Sequence, residues 1–239
     1  MGKEVNAWFY DRYIKRLFDI FISIVGLVVL SPFALICAIA IKLDDPHAPV
    51  FFRQERNGKH GRVFRITKFR TMQSSLSGGD ITAHKDTLTG VGKIIRKLSL
   101  DEYPQFVSIL RGDMSLIGPR PLLLNYYEWF NETERHRFDV RPGLTGLSQI
   151  NGRANLSWDE RFLLDVEYVY NLSLWLDIKI FIKTFFVIFS HKDSICEDGF
   201  ESFDEYRKKQ IEAGMLSEAR IVETHKEKPK ALRSKSMGA

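Results

Sequence analysis

Apolar positions dominate one unbroken stretch near the start of the chain. From Ile20 to Ile41 the sequence IFISIVGLVVLSPFALICAIAI runs 22 residues without a charge. As a straight helix rising about 1.5 Å per residue, it matches a hydrocarbon core of roughly 30 Å. It is too long for a signal-peptide core, lacks a small-residue cleavage site and continues into Lys42, so it reads as a membrane segment. Both flanks are basic, with Lys15 and Arg16 before it and Lys42, Arg53, Arg56 and Lys59 after it. Midway sits Ser31-Pro32. Proline removes a backbone donor and crowds the carbonyl four residues earlier, which bends a helix, and a serine hydroxyl can satisfy the group set free. A helix broken there, entering and leaving by one face, accounts for two basic flanks; a kinked spanning helix is the alternative. The preceding WFYDRYIKRLFDI, rich in aromatics and bases, reads as an interfacial lead-in.

Beyond the membrane segment the period changes. Val50 to Met72 alternates like two strands around a turn holding Asn57-Gly58 and Gly61, with Phe64, Ile66, Lys68 and Arg70 on one face. The spacing predicts a helix starting near Ser99 and another over Leu122 to Phe138, separated by a loop at Gly112-Asp113. Between 171 and 190, Trp175, Ile178, Ile182, Phe185 and Phe189 recur at helical spacing, with Asp177 and Lys183 on the other side. That pattern suits an amphipathic helix lying at a membrane interface; an ordinary core helix is the alternative. The fold class expected is α+β, predominantly helical, with a small β-hairpin. Three regions follow: 1–45, lead-in and re-entrant helix; 46–190, a cytosolic-face domain; and 191–239, a C-terminal extension, disordered from about 224.

Composition narrows the class. The 239 residues carry 35 Lys+Arg against 30 Asp+Glu, a net charge of +5, and 44% hydrophobic content excludes global disorder. A mean hydropathy of −0.17 with one long apolar run excludes a polytopic membrane protein. The excess of positive charge is small and no nucleic-acid module is present, so no nucleic acid is expected as partner. Cys37 and Cys196 cannot form a disulfide framework.

Candidate chemistry gathers in GKIIRKLSLDEYPQ, residues 92–105. Ser99 and Glu102 have capping-box spacing, with Asp101 in the first turn. A helix N-terminus would lower the pKa of Asp101 and keep it ionised and nucleophilic. Adjacent carboxylates also suit Mg²⁺, which takes one or two of them beside substrate phosphates. Cationic residues surround this run: Lys68 and Arg70 in KFRTM, Arg96, Arg120 stiffened between Pro119 and Pro121, Arg141 in RPGLTG and Arg153 in NGR. Arginine forks suit phosphate oxygens. The glycines Gly143, Gly146 and Gly152 read as turns and form no P-loop.

The ordered series KRLFDI, LSP, FFRQERNG, KFRTM, SLDEYPQ, GDMSLIGPRP and RPGLTGLSQINGR, from Lys15 to about Ser190, resembles the bacterial sugar transferases, the small monotopic phosphoglycosyl transferases. The resemblance implies a re-entrant helix broken at Ser31-Pro32 and a place on the cytoplasmic face of the bacterial inner membrane. It implies transfer of a sugar-1-phosphate from a UDP-sugar to polyprenyl (undecaprenyl) phosphate, with release of UMP, at the start of capsule, exopolysaccharide or glycoconjugate assembly. On the same basis Asp101 and Glu102 are the catalytic pair; Asp101 would form an aspartyl-phosphosugar, and the two carboxylates are the candidate Mg²⁺ ligands. Lys68, Arg96 and Arg120 match basic functional positions; Arg70, Arg141, Gln149 and Arg153 complete the expected phosphate-binding set. Whether Glu102 holds metal or moves a proton stays open, as do the sugar and any homo-oligomer or partnership with other glycan-assembly enzymes. Tyr103 stands where Leu is more usual. CDP-alcohol phosphatidyltransferases, with several spans and spaced aspartates, do not fit; a non-catalytic membrane scaffold is the other reading.

Overall fold

The uncharged run forms the middle of one helix. In the computed structural model, which describes residues 9–73, 88–152, 156–189 and 202–215, a short π-helical turn, Tyr10–Ile14, leads into helix α1, Lys15–Asp44. Together they span 35 residues, long and apolar enough to cross a membrane by length and composition. The helix continues through Pro32, whose missing N–H deprives the Val28 carbonyl of its helical donor. The Ser31 hydroxyl donates to that carbonyl at 2.8 Å, as the Ser-Pro pair leads one to expect.

One stripe of α1 is polar and buried. Lys15, Asp19 and Ser23, each four residues apart, are all at most 3% exposed. The Asp19 carboxylate accepts from the Ser115 hydroxyl and the Leu116 N–H. Lys15 meets Asp177 at 2.5 Å, and the same carboxylate accepts from the hydroxyls of Tyr10 and Tyr168. Arg16 donates to the carbonyls of Ile109 and Leu110. The opposite faces, including Leu17, Phe21, Val28, Leu35 and Leu43, lie open.

The predicted hairpin is present: β1, Phe51–Asn57, pairs antiparallel with β2, Val63–Phe69. His60 and Gly61 take positive φ in its turn. Arg70 falls just past the strand. A second, unexpected pair is parallel: β3, Ser115–Ile117, beside β4, Gly143–Thr145. Here Gly143 is no turn residue. A Cβ on it would stand 2.1 Å from the Gly118 nitrogen, so glycine permits the two backbones to touch. The Gly143 N–H donates to the Pro119 carbonyl, which fixes the backbone just before Arg120.

Between these sheets run α2, Gly90–Lys97, and α3, Gln105–Arg111. No helix starts at Ser99. That residue is left-handed, at φ 55°, makes no side-chain cap, and is followed by a single 3₁₀ turn, Leu100–Glu102. Pro104 then stands just before the first residue of α3, with no side-chain cap. The helix expected over Leu122 to Phe138 is also broken, into a 3₁₀ turn at Leu124–Trp129, the short α4 at Glu132–Arg135, and a 3₁₀ turn at His136–Phe138. Adjacent Tyr126 and Tyr127 in the first of these turns are both buried. After the four-residue α5, Leu147–Ile150, come α6, Trp158–Tyr170, and α7, Leu174–Phe189.

Helix α7 puts the Asp177 side inward and the apolar side outward. Asp177 and Ile180 face the protein, whereas Trp175, Ile182, Phe185 and Phe186 face outward, Trp175 being 77% exposed. Asp177 is the partner of Lys15. A C-terminal helix, α8, Phe203–Glu212, docks on an aromatic core of Phe130, Trp158 and Phe162 through fully buried Phe203, while Arg207 pairs with Glu134. Residues from 224 onward, and Cys196, lie outside the described residues.

Candidate active site

The 3₁₀ turn that replaces the expected helix start presents Asp101 and Glu102 together, next to the end of β2 and the loop after β3. Lys68, near the end of β2, reaches both acids: its ammonium stands 2.5 Å from Glu102 Oε1 and 3.9 Å from Asp101 Oδ2. Arg120 adds a second donor to Glu102 Oε1 at 2.9 Å. The two carboxylates are mostly buried, while Arg120 is nearly half open.

Electrostatics separates the pair. Burial alone would raise both acids. For Glu102 the charges and hydrogen bonds of Lys68 and Arg120 outweigh it and hold the carboxyl well below the usual range. For Asp101 burial prevails, reinforced by the neighbouring Glu102 charge and only partly offset by Lys68, so its pKa is raised. This corrects the expectation that a helix N-terminus would lower it. With no capped helix at Ser99 there is no dipole to act. Glu102 is a carboxylate locked between two cations; Asp101 is the less engaged member.

The remaining expected residues divide. Arg96, from α2, bonds the Thr71 hydroxyl at 2.9 Å and lies close enough to act on the charge of Asp101. Arg141 turns elsewhere, to the Asp11 carbonyl and carboxylate, and ties down the lead-in. Arg70 follows β2, its N–H on the Val50 carbonyl. Gln149 accepts from the Ser148 hydroxyl. None of these three is brought to the acidic pair. Arg153 lies outside the described residues. Beside Arg120 lies a small open depression whose lining includes Asn57, Gly58, Pro121, Arg137 and Pro142. Arg137, which the sequence did not mark, holds the Arg120 carbonyl at 2.8 Å while paired with buried Asp165. Its neighbours His136 and Phe138 gave no motif.

Among the described residues no group of three or more His, Cys, Asp or Glu could cage a metal. Two adjacent carboxylates still suit Mg²⁺ completed by substrate phosphates. Since Glu102 Oε1 already takes two cations, Asp101 and the second Glu102 oxygen are the donors such an ion would use.

A carboxylate pair set among cations at the edge of a long apolar helix defines a membrane-associated protein suited to anionic substrates. The chain belongs to the bacterial sugar transferase family, whose model matches residues 10–191. It is 45% identical over 172 residues to the uncharacterized sugar transferase EpsL of Bacillus subtilis, covering 72% of this chain and 85% of that protein. It is 40% identical over 181 residues to the UDP-glucose:undecaprenyl-phosphate glucose-1-phosphate transferase of Caulobacter vibrioides, covering 71% and 67%. It is also 40% identical over 189 residues to the galactosyl transferase CpsE of Streptococcus agalactiae, covering 73% and 42%. The chain therefore spans most of the first, about two thirds of the second and under half of the third. Helix α8 lies beyond the matched region.

Proposed function

We propose that this chain transfers a sugar-1-phosphate from a UDP-sugar to undecaprenyl phosphate through a covalent aspartyl intermediate, at the first membrane step of a surface polysaccharide or glycoconjugate. The observation that carries the reading is the asymmetry of the dyad: Glu102 is held by Lys68 and Arg120 at 2.5 and 2.9 Å, and Asp101 beside it meets Lys68 only at 3.9 Å. The names of the Caulobacter relative and of the galactose phosphotransferase of Salmonella typhimurium support the donor and acceptor classes.

An Asp101 carboxylate oxygen attacks the sugar-linked phosphorus of the donor. A P–O bond forms to Asp101, the bridging P–O bond breaks, and its electron pair leaves with UMP. A phosphate oxygen of the lipid acceptor then attacks the same phosphorus and expels Asp101, which regains its carboxylate. Lys68 and Arg120 balance charge on the transferring phosphoryl group, with Arg96 at longer range. Mg²⁺, held by Asp101 and Glu102, would draw negative charge from the diphosphate. The raised pKa of Asp101 belongs to a buried acid before substrate and metal are bound. The experiment is incubation of the full chain with Mg²⁺ and UDP-glucose, UDP-galactose or UDP-N-acetylgalactosamine, without lipid acceptor. One donor is expected to release a stoichiometric burst of UMP. Release that depends wholly on added undecaprenyl phosphate would contradict a covalent first step.

The membrane arrangement belongs to the same proposal. In it helix α1, continuous through Pro32 in this structure, would enter and leave the cytoplasmic leaflet by bending at Ser31-Pro32, and the outward apolar residues of α7 would lie at the headgroup boundary. The basic flanks at both ends support this, as does the outward face of α7. Cysteines placed at exposed Tyr13 and Leu43 are expected to react with an impermeant maleimide from the same side of inverted vesicles. Labelling from opposite sides would mean a spanning helix.

A further inference from the structure

Tyr103 follows Glu102 directly, and its side chain leaves the acidic turn for the membrane helix. Its hydroxyl donates to the Leu27 carbonyl of α1 at 2.9 Å. Leu27 immediately precedes Val28, the residue whose carbonyl loses its helical donor to Pro32 and receives the Ser31 hydroxyl instead. The Tyr103 ring stacks on Phe69, centroids 6.2 Å apart and 8° from parallel, and Phe69 is the neighbour of Lys68. The ring also meets Phe106 edge to face. Phe106 in turn fills the space that a side chain on Gly26 would need: a Cβ there would sit 3.0 Å from the ring. Three consecutive residues of α1, Gly26 to Val28, thus form a seat beside the proline. One tyrosine links that seat to the strand bearing Lys68 and to the turn bearing the dyad.

We propose, resting on the covalent reading above, that Tyr103 is a positioning residue: through the Leu27 carbonyl it makes the seat of the membrane helix set the reach of Asp101. The ring alone would serve packing. The hydroxyl does something packing does not require, because it fixes a distance between the acidic turn and a backbone atom of the helix. A half-buried hydroxyl left without that acceptor carries a desolvation cost, so the turn is held where the bond can form. Donor binding does not run through this contact, since Lys68 and Arg120 reach the dyad from other elements.

The test uses the full-length chain in detergent or nanodiscs, with whichever of UDP-glucose, UDP-galactose and UDP-N-acetylgalactosamine releases UMP. Tyr103→Phe keeps the ring and removes the hydroxyl. Its kcat for UMP release without acceptor is expected to fall about tenfold, with donor KM within about twofold of the parent. Its melting temperature should drop by no more than about 4 °C. Gly26→Ala, which crowds Phe106 and shifts the same seat, should reproduce the kcat defect. The double variant should be no slower than the slower single one, because both cut one link. A kcat for Tyr103→Phe within twofold of the parent, a defect confined to KM, or losses that multiply in the double variant would overturn the proposal. Asp101→Asn in the same assay keeps the two readings apart. Retained UMP release there refutes the covalent mechanism; its loss beside a normal Tyr103→Phe refutes only the role of Tyr103.

Discussion

Asp101→Asn is expected to abolish UMP release and to leave no phosphosugar on the protein, while the variant folds and enters the membrane as the parent does. The amide keeps the shape of the side chain but cannot form the acyl phosphate. The loss should therefore exceed about 10⁴-fold in rate, the size expected when a nucleophile rather than a binding contact is removed. Stability should change little or improve, since Asp101 is the acid of the pair whose burial is least compensated: Lys68 stands 3.9 Å from it, against 2.5 Å from Glu102. Mass spectrometry of the parent mixed with donor and Mg²⁺ should find an adduct of one phosphosugar on the peptide containing Asp101, absent from the variant. Ternary-complex kinetics with activity retained in Asp101→Asn would remove the covalent step. A chain that served only as a scaffold would tolerate the change in cells.

The second large effect is expected at Lys68. Lys68→Met keeps the length of the side chain and deletes the charge that both acids share. Glu102 would keep only Arg120, an arginine that is nearly half open to solvent, and the phosphoryl group in flight would lose its nearest buried cation. Loss of one preorganised charge at such a centre costs about 10²–10³ in kcat. Glu102 also becomes a less fully compensated buried acid, so the variant should melt lower than the parent. Turnover at saturating donor and the melting temperature, measured on one preparation, check both parts. A variant that lost stability yet kept its kcat would reduce Lys68 to a structural counter-ion.

Legibility in the sequence followed the strength of local patterns. The hairpin announced itself by alternation and an Asn-Gly turn, and its strands lie where that pattern put them. The apolar run and its Ser-Pro pair were equally plain, down to the hydroxyl that answers the missing N–H. The β3–β4 pair was invisible, because strands of three residues have no period and Gly143 serves a close approach that only three-dimensional contact reveals. The Ser99–Glu102 spacing was a false capping signal. A left-handed Ser99 and the following Pro104 move the helix start past the acids, so the acids were found correctly and the helix-dipole argument for the pKa of Asp101 was not. The partner of Asp177 was not legible for a related reason. Helical spacing tells which residues share a face but not whether that face meets water, lipid or a buried lysine. The cue lay in α1, where Lys15, Asp19 and Ser23 recur every fourth position on a helix that is mostly apolar.

That polar stripe bears on how the protein can be handled. A membrane anchor is commonly treated as a detachable handle, to be trimmed for a soluble enzyme or exchanged for another hydrophobic helix. Here trimming would leave Asp177 buried without its lysine and Ser115 and Leu116 without the carboxylate that binds them. An exchanged helix of uniform apolarity would leave the same vacancies. The first turns of α1 are interior structure that happens to continue into lipid, and a working soluble form would have to carry them along.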